Sequence, residues 1–410
     1  MREWKFALIV FVASLIPFLP ALSNGFVNWD DPNFITLNPI IQGLTAANIK
    51  AMFTSFVDGN YIPLTLLSFA TNFSVHQLQP AGYHAMNLLL HGINAALVFM
   101  LLRRLGGSSL SAVFGALLFS LHPLRVESVV WATERKDVLF ALFYLLSLFA
   151  YLRYLDGRSL KHLLLSLILF LCSGLSKQMA ISLPVVLLIL DFAERRKWEW
   201  RVVIEKIPFA LVALGFVAVA YFGQHSAGSI MRGAQYTPLH RVLLACNSLT
   251  LYLKGLLWPL NLSAIYPFPK DVIAEAAYTP FVILVVVLAI FFGGKKYRPI
   301  WVAGLFFIIT LVPVLNVVPA GSQMVADRFL YLPSIGISYL VAAAAAGDGV
   351  AGRVRADRAV LSLQPRCWWY YPHCPGSGPK FGKTISRCGR IPFARRHIRS
   401  SRSAIWDFRG

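Results

Sequence analysis

The sequence predicts an all-α polytopic membrane protein with about ten helices crossing the bilayer. Three observations carry that expectation. The 410 residues are 57% hydrophobic and only 14% charged, well under the roughly 25% charge of a soluble globular chain. Mean hydropathy is +0.63. Apolar runs of the roughly 20 residues needed to cross hydrocarbon recur before residue 348, with basic residues clustered between alternate pairs. A soluble chain of this length would form roughly two or three domains, and 18 acidic plus 38 basic residues are too few to cover their cores.

The expected spans fall at 5–23, 84–102, 109–126, 137–154, 160–176, 178–193, 207–224, 277–293, 299–318 and 329–347. In the first, Arg2 and Lys5 precede the apolar run and Ala21-Leu22-Ser23 resembles a signal-peptide cleavage end. The length of the run, with Pro17 and Pro20 inside it, favours an uncleaved span. Placing Met1 inside puts four basic turns on the cytoplasmic side. These are Arg103-Arg104; Arg153, Arg158 and Lys161; Arg195-Arg196-Lys197 with Arg201; and Lys295-Lys296 with Arg298. The agreement holds if 237–258 does not cross. Lys254, Trp258 and Pro259 suit an interfacial or re-entrant helix there, whereas a crossing would export the basic turn at 293–296. Asp191 reads as an interfacial cap at the end of its span.

Charge divides the chain into two parts. Residues 348–410 hold 13 Lys and Arg against 3 Asp, half of the net +20. The expected organisation is therefore a transmembrane domain over 1–347 and a basic tail over 348–410, either disordered or read out of frame. A lipid- or nucleic-acid-binding arm and a metal knuckle at Cys367, Cys374 and Cys388 are the competing readings of that tail. No nucleic-acid partner is expected for the rest. Cys172 and Cys246 sit in apolar runs and read as small buried hydrophobes.

The interesting chemistry falls in the segments assigned to the outer face, 24–83, 122–136, the corner at 177, 225–276 and 319–328. Asp30 and Asp31 are adjacent, and two buried acids so close cannot both ionise cheaply, so one becomes a usable base. The alternative is that Asp30 caps a helix entered at Asp31-Pro32. The second outer loop carries His122, Arg125, Glu127, Glu134, Arg135 and Lys136. It reads either as a solvated loop with internal ion pairs or as a clamp in which Arg125, Arg135 and Lys136 hold phosphate while Glu127 and Glu134 orient them. Lys177 and the pair Asp327-Arg328 add charge at neighbouring corners. Tyr61 and Tyr83 suit an aromatic belt, and His91 suits a helix contact. No pair of His or Cys has metal-site spacing, and no phosphate loop, nucleophile elbow or dinucleotide motif occurs. Three classes remain open: an enzyme acting on a lipid-phosphate substrate, a transporter or flippase, and a membrane scaffold.

Several strings carry a resemblance: Gly25-Phe26-Val27-Asn28-Trp29-Asp30-Asp31, Tyr61 through Phe69, Tyr83-His84 with Asn87 to His91, His122-Pro123 through Asp137, Ser176-Lys177, Tyr266-Pro267, and Ala326-Asp327-Arg328 with Tyr331-Leu332-Pro333. In this order they resemble the membrane domain of GT-C glycosyltransferases of the transmembrane-and-tetratricopeptide type, relatives of protein O-mannosyltransferases. The resemblance implies a GT-C-like helical bundle with a large first extracytoplasmic loop. It also implies a transferase that moves a sugar from a polyprenyl-phosphate donor to an acceptor hydroxyl, on protein or glycan. Asp30 or Asp31 would be the catalytic base. His122, Arg125, Glu127, Glu134, Arg135, Lys136, Lys177, Asp327 and Arg328 would bind substrate. The only cofactor in question is a divalent cation. The expected location is a bacterial inner membrane, with the site facing outward. The tetratricopeptide framework common in the family is not visible in this sequence.

Overall fold

The computed structural model describes residues 3–228, 236–260, 262–263, 265–315 and 323–347, apart from the Lys296 side chain. The readings of the tail 348–410 lie outside them. The described residues are helical, joined by turns and two isolated bridges.

α1 (Glu3–Leu15) continues as a tighter turn, Ile16–Ser23, where Pro17 and Pro20 deny the backbone its helical donors. The segment up to residue 80 is structured rather than open loop. It holds α2 (Ala46–Thr54), capped by the Thr45 hydroxyl on the Asn48 N–H at 3.2 Å, and α3 (Pro63–His76). α4 (Pro80–Arg104) starts earlier than hydropathy suggested, because Pro80 at its first turn is a favourable entry. α5 (Ser109–Ser120) is capped by Ser108 and stops ahead of Pro123. α6 (Arg125–Val130) is a separate short helix, so the expected span 109–126 is divided.

α7 (Arg135–Gly157) ends at Arg158, whose φ of 51° is left-handed, and α8 (Leu160–Ser176) packs back along it. The expected span 178–193 is a turn, Gln178–Ser182, followed by α9 (Leu183–Ala193), with Pro184 in the first turn of the helix. α10 (Trp200–Ile204) leads into α11 (Ile207–Ser226). Then come α12 (Pro238–Leu257), α13 (Val272–Ala276), α14 (Thr279–Lys296), α15 (Arg298–Leu311) and α16 (Ser334–Ala345). A tight turn at Asp327–Leu330 stands apart from α16, dividing the expected span 329–347.

Among the described residues, five segments are long and apolar enough to cross a membrane: Glu3–Ser23, Pro80–Arg104, Ala132–Gly157, Trp200–Ser226 and Val272–Lys295. Five shorter apolar ones accompany them: Ser109–Ser120, Leu160–Ser176, Gln178–Ala193, Arg298–Val314 and Ser334–Ala345. α12 is in neither group. The chain is an integral membrane protein.

Helix ends collect into two sets. In one, Arg103 pairs with Glu3 at 3.0 Å, Arg104 with Asp156 at 2.6 Å and Glu194 at 3.1 Å, and Arg298 donates to the Phe192 carbonyl. Asp191 lies here and is not a surface cap. It is buried, takes the Tyr151 hydroxyl on both oxygens at 2.8 and 2.9 Å, and pairs with Lys206 and Arg196. The opposite set gathers the segments near residues 30, 127, 134, 177 and 328. α12 touches this set along its length. The Leu256 carbonyl meets His122 at 3.0 Å, Asn247 approaches the Met324 sulfur at 3.8 Å, and Tyr236, just ahead of the helix, stacks on Phe268 at 5.7 Å.

Small residues allow the closest helix approaches. A Cβ on Gly115 of α5 would stand 2.7 Å from the Ser338 carbonyl oxygen and 3.0 Å from the Ala342 Cβ on α16. Gly115→Leu is therefore expected to destabilise the bundle by about 1–3 kcal/mol through overpacking. A thermal-unfolding midpoint equal to wild type would show that these helices have room to part.

Candidate active site

The short stretch 122–137 is not a solvated loop. Arg125, Glu134, Arg135 and Asp137 are fully buried, and Lys136 is 8% exposed. Charges held this far from water require partners, and the fold supplies them from six segments. Asp30 follows the first helical segment, Glu127 lies on α6, Glu134 on the turn Ala132–Glu134, and Lys136 with Asp137 on the first turn of α7. Lys177 caps α8, and Arg328 lies on the turn Asp327–Leu330.

They form one continuous network. Lys136 lies 3.4 Å from Asp30 and 3.2 Å from Glu134. Lys177 lies 3.7 Å from the other Glu134 oxygen and pairs closely with Asp137, whose second oxygen accepts from the Ser128 hydroxyl at 3.0 Å. Arg328 reaches Glu134 at 3.3 Å and pairs with Glu127, which also accepts the Arg328 backbone N–H at 3.0 Å. Asp327 accepts from the Tyr266 hydroxyl at 3.0 Å. Within this network the carboxylates of Asp30, Glu127, Glu134 and Asp137 outnumber the cations Lys136, Lys177 and Arg328, so every cation is engaged.

Beside the network lies a cavity of about 410 Å³, within the range of small-ligand sites. Its wall is made by Asn24 to Val27, Asp31, His84, Val126, Glu127 and Val130 to Ala132. Asp31 is fully buried. One oxygen accepts from the Thr133 N–H at 3.1 Å and from the Thr133 hydroxyl, and the other accepts from the Val27 N–H at 2.8 Å. A carboxylate has about four acceptor positions, so one remains, on Oδ2. The cap expected of Asp30 is made by its backbone carbonyl, which takes the Asn33 and Phe34 N–H groups at 3.1 Å, while its side chain turns to Lys136.

His84 is the site residue to which sequence reasoning gave no role. It is 2% exposed, and neither ring nitrogen makes a well-formed hydrogen bond, although the Gly25 and Val130 carbonyls lie near. The Trp131 indole N–H is also buried without a partner. Leaving such groups unpaired costs about 1–3 kcal/mol each. Only the resemblance string Tyr83-His84 had marked the position.

Other expected site residues lie apart from the cavity wall. Arg125 donates to the Leu330 carbonyl at 3.1 Å and is flanked by the Phe119 and Tyr331 rings at 5.3 and 5.1 Å. Arg135 donates to Asn87, Ser68, Asn72 and the Tyr83 carbonyl. His122 meets the Leu256 carbonyl, and burial lowers its pKa. Asp30, Glu127, Glu134, Lys136, Lys177 and Arg328 do converge, which independent charged loops on a scaffold would not require. Among the described residues, no three His, Cys, Asp or Glu side chains form a metal site.

Burial raises the pKa of Glu127 above the ordinary carboxylate range, and Arg328 opposes that rise. The folded state then holds a proton on Glu127 at pH values where the unfolded chain has lost it. Stability from this group is present at low pH and declines as pH rises from the usual glutamate range through the raised value. The wild-type minus Glu127→Gln difference in unfolding free energy should fall with pH across that window. A difference that stays level or rises would contradict it. Asp327 is raised by burial in the same way.

Residues 76–222 match the family described as dolichyl-phosphate-mannose-protein mannosyltransferase. The protein O-mannosyl-transferase F38B6.6 of Caenorhabditis elegans is 27% identical over 369 residues, covering 82% of this chain and 50% of that protein. The protein O-mannosyl-transferase Tmtc1 of Drosophila melanogaster is 32% identical over 177 residues, covering 41% and 20%. The chain thus spans half the length of the worm relative and less of the fly one. Among solved structures, ArnT from Cupriavidus metallidurans bound to undecaprenyl phosphate aligns at TM-score 0.47 and 13% identity over 87% of this chain and 63% of that one. The family match and the relatives bear out the resemblance read from the sequence: the chain is similar to protein O-mannosyltransferases.

Proposed function

We propose that the chain is a membrane glycosyltransferase that passes a sugar from a polyprenyl-phosphate donor to a hydroxyl of an acceptor protein. The carrying observation is a cavity bordered by Asp31 and Glu127 and set against a buried ionic network drawn from six segments. In the reaction, the acceptor oxygen bonds to the anomeric carbon as the bond to the phosphate oxygen breaks. The phosphate leaves with the electron pair, and the acceptor proton passes to a carboxylate. Asp31 is the base in this reading, because it borders the cavity, one Oδ2 acceptor position is unfilled and three donors fix its orientation.

The donor phosphate meets Lys136. That cation is held to Asp30 at 3.4 Å, and Asp30 has one of the more exposed side chains in the network, at 26%. A phosphate displaces it more easily than it displaces Glu134 from Lys136 or Arg328. Arg125 and Arg135 serve the scaffold in this reading, since their donors are directed at backbone and side-chain oxygens. Ten crossings, with α12 along the outer surface, put 24–83 and the site on the non-cytoplasmic face and Arg103, Arg104 and Arg298 on the other, in keeping with charge asymmetry. The relatives named above are animal proteins, so the bacterial inner membrane has no support from them. In this reading the site faces away from the cytoplasm.

The test reconstitutes the full chain in liposomes with labelled mannosyl-phosphoryl-polyprenol and a serine- and threonine-containing peptide. Label on the peptide that depends on the chain is the expected result. Intact donor after prolonged incubation with correctly inserted protein would overturn the reading.

A further inference from the structure

α9 ends in a turn that ordinarily takes glycine and here holds arginine. Its two closing bonds run from the Arg195 N–H to the Phe192 carbonyl and from the Arg196 N–H to the Asp191 carbonyl, each at 3.0 Å. This turn needs a left-handed residue at its centre, for which glycine is the usual choice, and Arg195 adopts it at φ 54°. The same Phe192 carbonyl accepts from Arg298 at the start of α15, whose guanidinium lies 4.1 Å from the Phe192 ring. Two arginines therefore converge on one helix end. Arg195 is exposed and stands near enough to Arg298 for the two charges to oppose each other. The acids around them are engaged elsewhere: Asp191 and Glu205 pair with Arg196 and Lys206, and Glu194 pairs with Arg104. Neither Arg195 nor Arg298 pairs with a carboxylate among the described residues.

A general bias of basic residues toward one membrane face does not produce this arrangement, since like charges repel less when spread apart. The pair marks the ends of two apolar segments, Gln178–Ala193 and Arg298–Val314, and such ends lie at the level of lipid headgroups. Trp198 and Trp200 follow directly and are both exposed, as tryptophans of an interfacial belt are.

We propose that Arg195 and Arg298 form a binding site for the headgroup phosphate of an anionic phospholipid, at the helix ends opposite the candidate active site. Guanidinium forks match phosphate oxygens, and a phosphate between them replaces one repulsion with two attractions. A zwitterionic lipid offers the same phosphate together with an ammonium group that the arginines repel, so net headgroup charge sets the preference. The bound lipid joins α9 to α15 and stabilises the fold. The site is independent of the transfer reaction.

In the test, the full chain in detergent is titrated with phosphatidylglycerol and, separately, with phosphatidylcholine, and bound lipid is counted by native mass spectrometry. Wild type is expected to hold phosphatidylglycerol about tenfold more tightly, within what two surface arginines supply. Arg195→Gly is the decisive variant, because glycine suits the left-handed turn: the preference falls severalfold while the unfolding midpoint without lipid holds or rises. Arg298→Gln loses the preference as well. Arg103→Gln removes a charge already met by Glu3 at 3.0 Å and leaves the preference unchanged.

Wild type that binds the two lipids equally overturns the proposal, and so does a preference that survives Arg195→Gly. An equal loss in Arg103→Gln would mark diffuse surface charge in place of a site. Complete displacement of phosphatidylglycerol by excess inorganic phosphate would show a site for free anions and overturn the lipid assignment.

Discussion

Asp31→Asn is expected to lower sugar transfer from a lipid-linked donor by about 10²- to 10⁴-fold, the range over which a positioned base contributes, while the protein still inserts. The fold makes this residue difficult to replace. Asparagine keeps one acceptor oxygen in place of two, so it cannot satisfy the Val27 N–H and both Thr133 donors and also take a proton. Asp30→Asn should behave differently. It frees Lys136, now 3.4 Å from Asp30, so the donor KM should fall while kcat changes much less. Transfer rates in membranes, read beside the unfolding midpoint of each variant, separate the two roles. Undiminished transfer in the double variant would remove both aspartates from the chemistry, and a larger kcat loss in Asp30→Asn than in Asp31→Asn would exchange their roles.

Local sequence reported some of this architecture and was silent on the rest, for physical reasons. Helix positions were legible because an apolar run of given length has few other uses, and the basic turns were legible because charge sits at the ends of such runs. Boundaries were less so. Pro80 starts α4 and Pro123 separates α5 from α6, and hydropathy averaged over a window cannot see either. The cluster of charge over 122–137 was visible, but the orientation of each side chain was not. Neighbours Glu134, Arg135 and Lys136 project in different directions at the entry to α7. Lys136 goes to Asp30, while Arg135 reaches α3 and α4. Sequence treated Arg125, Arg135 and Lys136 as equivalent cations, and only tertiary contact distinguishes the network member from the two held in the scaffold. His84 was marked by the resemblance alone and given no role for a similar reason, because a histidine in an apolar helix gains meaning only when a cavity opens beside it.

Arg135 carries the largest stability expectation. It is fully buried on α7 and pairs with no carboxylate among the described residues. Its guanidinium instead donates to the Ser68 hydroxyl at 2.8 Å, Asn72 Oδ1 at 2.7 Å, the Tyr83 carbonyl at 2.8 Å and Asn87 Oδ1, with the Phe69 ring 5.3 Å away. These acceptors belong to α3 and α4, so one side chain ties three helices together. Asn87 and Asn72 pass the constraint on, since their amides donate to the Trp131 carbonyl at 3.0 Å and the Gly82 carbonyl at 3.1 Å. The turn bearing Glu134 is therefore held from the α4 side through Arg135. Arg135→Met fills similar volume but leaves four acceptors, three of them on buried residues, without their donor, and hydrogen bonds from a charged group are worth about 1.5–3 kcal/mol each. A net loss on the order of 3–5 kcal/mol is expected. Arg135→Lys should recover only part of it, because a compact ammonium has three donors and cannot span the fork. Unfolding midpoints and protease resistance in lipid measure this directly. An Arg135→Met protein as stable as wild type would show that α3, α4 and α7 are joined by packing alone.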